Sequence, residues 1–255
     1  MKAVKFYLTF IAFFSFVISS CKKGNFAPKG GSALTIVNAV VGSSFLFTNF
    51  NGTGNSKITD TLKWFIGPNN SANLVSSSSF IDITSYSGRI NLALFNYPDT
   101  FHSVFSGAFD LPIGSIHSLF VAGTLTQTDS LFTTDLPPYH PATDSSIGIR
   151  FVNLSMGSNP VSVNIQGQPN GSEVSNLPYK SITNFKNYSA KAAVSNYKFE
   201  FRDATNGTLL STYNMTGVND GLVNTRTNQL RFRNFTIVLQ GLPSAQSTFR
   251  VSNSF

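Results

Sequence analysis

A short pattern occurs twice at a fixed offset, and this repetition limits what the chain can fold into more than any other property. Val37-Asn38 is followed by Gly42-Ser43 and then by Gly52; Val152-Asn153 is followed by Gly157-Ser158 and then by Gly167. The offsets 153 − 38, 157 − 42 and 167 − 52 all equal 115. Self-similarity at one offset of this size, in a chain of 255 residues, reads as two copies of one domain. A later echo sets Ala122-Gly123-Thr124-Leu125 against Gln240-Gly241-Leu242, with 241 − 123 = 118, so only small insertions separate the copies.

Each copy reads as a series of short strands. Only 11% of residues are charged, Phe occurs 25 times, and Asn, Ser, Thr and Gly are frequent. Aromatics with turn formers and few charges favour sheet over helix. No segment sustains a helical period. In the first copy, strands are expected over 34–40, 45–50, 61–66, 79–84, 89–95, 102–109, 117–122 and 124–133, separated by turns such as Gly67-Pro68-Asn69-Asn70. In the second copy, Val161, Val163 and Ile165 align with Leu46, Thr48 and Phe50 as the inward face. Ser162 and Asn164 align with Phe47 and Asn49 as the outward face. Tyr197, Phe199 and Phe201 alternate with Lys198, Glu200 and Arg202, a half-buried strand. Pro137, Pro138 and Pro141 cannot continue a ladder, which puts a stiff, extended linker at 136–146 between domains at 34–135 and 147–255. Such strand series point to an all-β sandwich architecture.

The N-terminus carries a targeting signal. Lys2 and Lys5 precede an apolar run over 6–19, too short to span a bilayer comfortably and typical of a secretory signal. Val17-Ile18-Ser19-Ser20 then leads to Cys21, the single cysteine. This resembles the bacterial lipoprotein signal, which implies a signal peptide over 1–20 and acylation of Cys21. Acyl chains anchor by burying methylenes at about 0.8 kcal/mol each. Residues 21–33, with Lys22, Lys23, Pro28, Gly30 and Gly31, read as a flexible tether. Bacteroidetes lipoproteins destined for the cell surface carry acidic residues after the cysteine. Lys22-Lys23 stands there instead, so an outer-membrane location is expected with the side faced left open.

The repeat itself resembles the family called domain of unknown function 4397. The resemblance lies in Val37-Asn38 through Gly52, its second copy, and the closing strand Leu119-Phe120-Val121-Ala122-Gly123-Thr124-Leu125. The family's turn proline is replaced by Val41 and Met156, and its strand Asp by Phe47 and Ser162. The resemblance implies two tandem immunoglobulin-like β-sandwich domains of an envelope protein, with no catalytic residues to carry over.

The chemistry-bearing residues fit binding better than catalysis. His102, His117 and His140 are isolated, with no metal-ligand spacing, and no cofactor motif occurs. His102, Asp99 and a serine would make a triad only on paper, since no nucleophile-elbow pattern accompanies them. Glycan hydrolysis would require paired carboxylates, and Glu173 and Glu200 are the only glutamates. A calcium site made from the scattered Asp residues is a further option. The copies differ in charge. Residues 34–145 hold three Lys/Arg against seven Asp (−4), residues 146–255 ten against four Asp/Glu (+6), and the N-terminal segment adds five Lys. That asymmetry reads as complementary packing of the domains, or as attraction to anionic partners. Phe45 and Phe47, placed outward, are candidates for contact with a glycan or protein partner. Arg226, Arg231 and Arg233 are candidates for anionic ligands; nucleic acid is not expected. Thr61 in Asp60-Thr61-Leu62 and Ser130 in Asp129-Ser130-Leu131 match a short bacterial O-glycosylation pattern. The leading expectation is a non-catalytic binding or adhesion protein, held to the membrane through lipid on Cys21. The alternative is a structural or assembly subunit of an envelope complex or fimbria.

Overall fold

The computed structural model describes residues 30–50, 65–67, 79–141, 143–191, 196–218 and 230–253. Every regular element among them is a β-strand, and all belong to one compact unit, Gly31–Phe255. The first copy holds β1 (Gly31–Asn38), β2 (Leu46–Asn49), β3 (Phe65–Ile66), β4 (Phe80–Tyr86), β5 (Gly88–Asn96), β6 (Ser103–Leu111), β7 (Ile116–Gly123) and β8 (Thr128–Thr134). The second holds β9 (Ser146–Leu154), β10 (Val161–Ile165), β11 (Val174–Leu177), β12 (Ser181–Ile182), β13 (Lys186–Ser189), β14 (Tyr197–Asp203), β15 (Leu209–Met215), β16 (Asn234–Gln240) and β17 (Ser247–Asn253).

Four sheets result. The first copy pairs a sheet of order β4-β1-β7-β8 with one of order β3-β2-β5-β6. The second pairs β12-β9-β16-β17, with β13 also on β9, with β11-β10-β14-β15. The protein is thus all-β, built as two sandwiches of mostly antiparallel strands. Each sandwich carries one parallel pair. Asn38 lies opposite Val121 in β1 and β7, and Asn153 opposite Leu239 in β9 and β16. Since 239 − 121 = 118 and 153 − 38 = 115, this is the same register twice.

Alternation along the strands shows why the copies stack. Leu34, Ile36, Leu119 and Val121 face the core of the first sandwich. Ile149, Phe151, Phe235 and Ile237 face the core of the second. The intervening residues of the same strands, Val37, Phe120 and Ala122 from one copy and Val152, Leu154 and Val238 from the other, join Ala39 just past β1 and Phe249 and Val251 of β17 in a third core between the copies. Hence β1, β7, β9 and β16 are buried on both faces and carry apolar residues toward each of them rather than alternating with exposed ones. The result is four layers, with the two inner sheets back to back.

One polar network lies within that seam. Arg150 Nη1 and Nη2 each donate to the Asp135 carboxylate at 2.8 Å, and Nε donates to Thr236 Oγ1 at 2.8 Å. Ser118 Oγ and Thr133 Oγ1 also donate to Asp135, at 2.6 and 2.8 Å. The Arg150 guanidinium stands 4.5 Å over the Phe185 ring. Both charged residues are buried, so a bidentate, fully hydrogen-bonded pair is needed to offset their desolvation. A second pair, Lys180 Nζ to Asp129 Oδ1 at 2.6 Å, joins the copies near the other end of the seam. In both pairs the acid comes from the first copy and the base from the second, which puts the charge asymmetry to use in complementary packing.

Several boundaries differ from the sequence reading. β1 begins at Gly31, inside the expected tether, because Ser32 and Ala33 still pair with β4. β8 begins at Thr128, since Thr124–Gln127 closes a turn with hydrogen bonds in both directions. The segment after β8 forms no ladder, but it does not stand off as a free spacer. His140 is buried among the prolines and fastens it, with Nδ1 2.9 Å from Ser146 Oγ and Nε2 2.9 Å from Asn234 Oδ1. Asn234 Nδ2 donates to Pro138 O at 3.0 Å. Gly148 makes room: a Cβ there would stand 2.0 Å from Asn234 Oδ1.

Candidate functional site

The repeated motif proves to be a structural clasp. Asn38, at the end of β1, donates from Nδ2 to Gly67 O at 3.2 Å and to Ser43 Oγ at 3.1 Å, and its Oδ1 accepts from Val40 N at 3.1 Å. Asn153 does the same with Leu177 O at 3.0 Å, Ser158 Oγ at 3.4 Å and Ser155 N at 3.0 Å. Gly42 and Gly157 sit in the following turns at φ of 77° and 79°, a conformation that glycine adopts without strain. These residues hold the crossing from inner to outer sheet, and no ligand-directed group remains among them.

The sequence-picked residues scatter. Cys21, Thr61 and Arg226 lie outside the described residues. Phe47 requires correction as an outward ligand contact. It is on the outward face of its sheet, but it is only 2% exposed and stacks on Phe95 at 5.3 Å between centroids. Phe45 is half-buried at the start of β2, where its carbonyl accepts from Tyr97 N at 2.8 Å. Ser162 and Asn164, the outward residues of the second copy, are buried as well. Arg231 turns back to donate to Ala190 O at 3.4 Å, with its guanidinium 5.9 Å from the Phe232 ring. Arg233, two residues on, is exposed. Ser130 is half-buried on β8, with its amide bonded to Asp129 Oδ1.

The titratable groups are largely held in place. Glu173 accepts from Lys186 Nζ at 2.7 Å and from Tyr188 OH at 2.5 Å, and burial together with this carboxylate pushes the Tyr188 hydroxyl up. Glu200 accepts from Arg202 Nη2 at 2.8 Å and Asn164 Nδ2 at 3.0 Å, which holds its carboxyl below the usual range. Each glutamate thus has its own partners. Asp144, Ser146 and His140 are in contact, but Ser146 Oγ donates to Asp144 at 2.6 Å, and the far nitrogen of His140 is taken by Asn234. That order serves the linker and leaves the serine buried. Among the described residues no group of three His, Cys, Asp or Glu converges as a metal site.

Two surfaces stand out, at opposite ends of the strands. At the end of the Asn clasps, the loop between β5 and β6 presents Tyr97 and Phe101, the latter 69% exposed. Ser44 N donates to Asn96 Oδ1 at 2.7 Å, and Ser44 Oγ donates to Tyr97 O. Asp99 Oδ1 accepts from Phe101 N at 2.7 Å and His102 N at 3.1 Å, and Oδ2 lies 2.9 Å from His102 Nδ1. These bonds hold the Asp99 carboxyl below its usual range, the Phe101 amide contributing most. The loop backbone is therefore preformed, with two rings exposed on it. Asp99 and His102, singled out from sequence as a paper triad, do pair, but the imidazole is 88% exposed. Sequence reasoning missed Tyr97 and Phe101. The signal was a Tyr-Pro-Asp turn with a second aromatic two residues on, outside any strand alternation.

At the other end lies a cleft of about 680 Å³. Ile113, Leu136, Pro137, Tyr139 and Phe232 line its rim and walls, with His140, Asn234 and Asp135 beneath. Leu136 and Tyr139 are each 86% exposed. The polar groups below are already paired as described, so the open surface is mainly apolar.

Among the described residues, fold and surfaces together define a double β-sandwich with a preformed loop bearing two exposed rings and an apolar cleft. No protein-family model matches the chain, and no curated protein sequence matches it. Among solved structures, it is similar to one titled "The Bacillus anthracis TIE protein", at 9% identity and a TM-score of 0.25, covering 73% of this chain and 32% of that one. This chain therefore spans about a third of the length of that protein. It is also similar to one titled "Alpha-glucan binding by a streptococcal virulence factor", at 9% identity and a TM-score of 0.24, covering 86% of this chain and 96% of that one. At these scores neither likeness speaks to what this chain does.

Proposed function

We propose that the chain is a lipid-anchored protein of the bacterial outer membrane with a non-catalytic binding role, exercised through the loop at 97–102. The carrying observation is the preformed geometry of that loop. A loop backbone fixed in advance binds with less ordering cost, and the faces of its rings suit sugar rings or apolar side chains of an envelope partner. The lipoprotein signal ending at Cys21 and the resemblance to domain of unknown function 4397 support the envelope setting. The buried Ser146 and His140, each already bonded to Asp144 or Asn234, and the separate partners of the two glutamates, fit a non-catalytic role.

The test is a glycan array probed with the full mature protein, together with cross-linking capture in envelope fractions. Phe101→Ala and Tyr97→Ala, both at exposed positions, are expected to weaken a hit about tenfold each. Hits that survive both changes would remove this loop from the function.

A second reading, an assembly subunit, gains support from β6. This nine-residue strand ends its sheet, with exposed residues at Ser103, Ser106 and Ala108. Such an edge accepts an added strand. Capture of an envelope protein through β6, with the aromatic loop still free, would favour it.

A further inference from the structure

We propose that the cleft end of the protein is a membrane-contact surface, with Ile113, Leu136, Tyr139 and Phe232 seated in the interface of an anionic lipid layer. This rests on the proposed acylation of Cys21.

The first ground is where the chain enters the double sandwich. β1 starts at Gly31, whose carbonyl accepts from Gly114 N at 2.8 Å, and Ala33 N donates to Ser115 O at 2.9 Å. Gly114 and Ser115 line the cleft. The anchored residue and the cleft are thus joined by the ten peptide steps from Cys21 to Gly31. Even fully extended, these span at most about 35 Å. A lipid on Cys21 would therefore hold this end of the strands within that reach of the bilayer.

The second ground is chemical. Ile113, Leu136 and Tyr139 are more than two-thirds exposed, and Phe232 is over a third exposed, flanked in sequence by Arg231 and Arg233. An apolar set with an aromatic hydroxyl and adjacent guanidiniums is the composition of interfacial anchors: rings at the headgroup level and cations against phosphate. The polar groups beneath are satisfied internally, so a purely apolar neighbour leaves nothing in the floor unpaired.

The third ground is charge. The exposed or half-exposed charged residues at this end are Arg89, Lys191, Arg231 and Arg233 against Asp110 and Asp144. Lys22, Lys23 and Lys29 add to them in the preceding sequence. At the opposite end Asp99, Asp129 and Asp203 stand against Lys180 and Arg202, and the carboxyls of Asp99 and Asp203 are held below the usual range, Asp203 chiefly by the Asn159 amide. An anionic surface therefore favours the first end over the second. The ring-bearing loop is left facing away from the membrane.

The test uses full-length acylated protein in phosphatidylcholine vesicles containing about one-third phosphatidylglycerol. Acylation occupies the Cys21 thiol, so a cysteine introduced at an exposed position is the only one that takes a fluorophore. Tyr139→Cys and Ile113→Cys report on the cleft end, and Phe101→Cys on the other. Quenching by lipid-borne nitroxide is expected to be at least about threefold greater at 139 and 113 than at 101, and to fall when phosphatidylglycerol is omitted. Equal quenching at both ends, or none at 139 on vesicles that carry the protein, overturns the proposal. So does shielding of position 139 in cells without quenching on vesicles, which would mean that a protein covers the cleft. Mass spectrometry of Cys21 separates the two ideas. A chain without acyl mass overturns the anchor; in that case Cys21→Ser leaves position 139 as the single labelled site, and quenching there by added anionic vesicles supports the surface on its own, while its absence overturns it.

Discussion

The two copies meet one structural demand with different chemistry. Phe47 lies opposite Phe95 in β2 and β5, as Ser162 lies opposite Arg202 in β10 and β14. Asn49 lies opposite Ala93, as Asn164 lies opposite Glu200. The first copy fills this outer face with stacked rings, the second with a carboxylate bonded to Arg202, Asn164 and Gln166. The seam is asymmetric too. Arg150 and Asp135 have Thr35 and Asn253 as their counterparts under the two offsets, 150 − 115 and 135 + 118. By contrast, the Asn clasp and its glycine are the same in both copies. Backbone crossings are therefore what the repeat conserves between its halves, while side-chain packing on the outer faces and in the seam has diverged.

The strongest way to test that asymmetry is to remove Arg150. Arg150→Met leaves the Asp135 carboxylate buried without its partner, and a loss of about 3–5 kcal/mol is expected in urea unfolding. Adding Asp135→Leu should restore most of it, because an apolar pair of similar volume replaces a paired charge. Thr35→Val, at the counterpart position, removes only a 2.7 Å bond to Asp82 and should cost about 1 kcal/mol. Similar losses at 35 and 150 would show that the seam is more symmetric than it looks.

The outer faces give the next contrast. Phe47→Ala opens a cavity against Phe95 and should cost about 3 kcal/mol, whereas Ser162→Ala should stay within about 1 kcal/mol. The clasps should then agree with one another. Asn38→Ala and Asn153→Ala each strip a buried carbonyl and a buried amide of their partner, at about 2 kcal/mol in either copy. A clear difference between the two would mean that the shared motif does different work in each half.

Much of this was legible in the sequence, for reasons that can be named. The strands were visible because turn chemistry is local: Gly42, Gly123, Gly157 and Gly241 all sit at positive φ. The inward sets of β2 and β10 were visible because period-two alternation survives wherever one face meets a core. The outward set misled, because polarity or size in one strand does not reveal what lies over it. Phe47 and Ser162 look like surface residues of opposite character, and both are buried. The seam was hidden for a related reason. Arg150 in a run of Ile, Gly and Phe shows no partner until Asp135, at the edge of the expected linker, is brought to it by stacking of the two sandwiches. The loop rings were hidden because Tyr97 and Phe101 follow no period at all.

The smallest expected effect is the dependence of the second copy's outer face on acid. The Arg202 guanidinium, and after it the Asn164 amide, hold the Glu200 carboxyl below its ordinary value of 4.5, against the opposing influence of burial. A group whose folded value is depressed contributes stability that is full above the unfolded value and lost as pH falls through the folded one. The first copy has phenyl rings and a methyl at the matching places, and these do not titrate. Glu200→Gln keeps the shape and removes the ionisation. At neutral pH the variant should be less stable than the parent by about 1 kcal/mol or less. As the pH falls from about 5 through the carboxyl's lowered folded value that gap should close, because the parent carboxyl is taking up its proton while the amide does not change. Phe95→Leu in the first copy serves as the control, with a stability difference that stays constant over the same range. Urea midpoints at the two ends of the range read both. A Glu200→Gln difference that persists unchanged in acid would mean that shape alone holds this face, and the chemical contrast between the two copies would lose its electrostatic half.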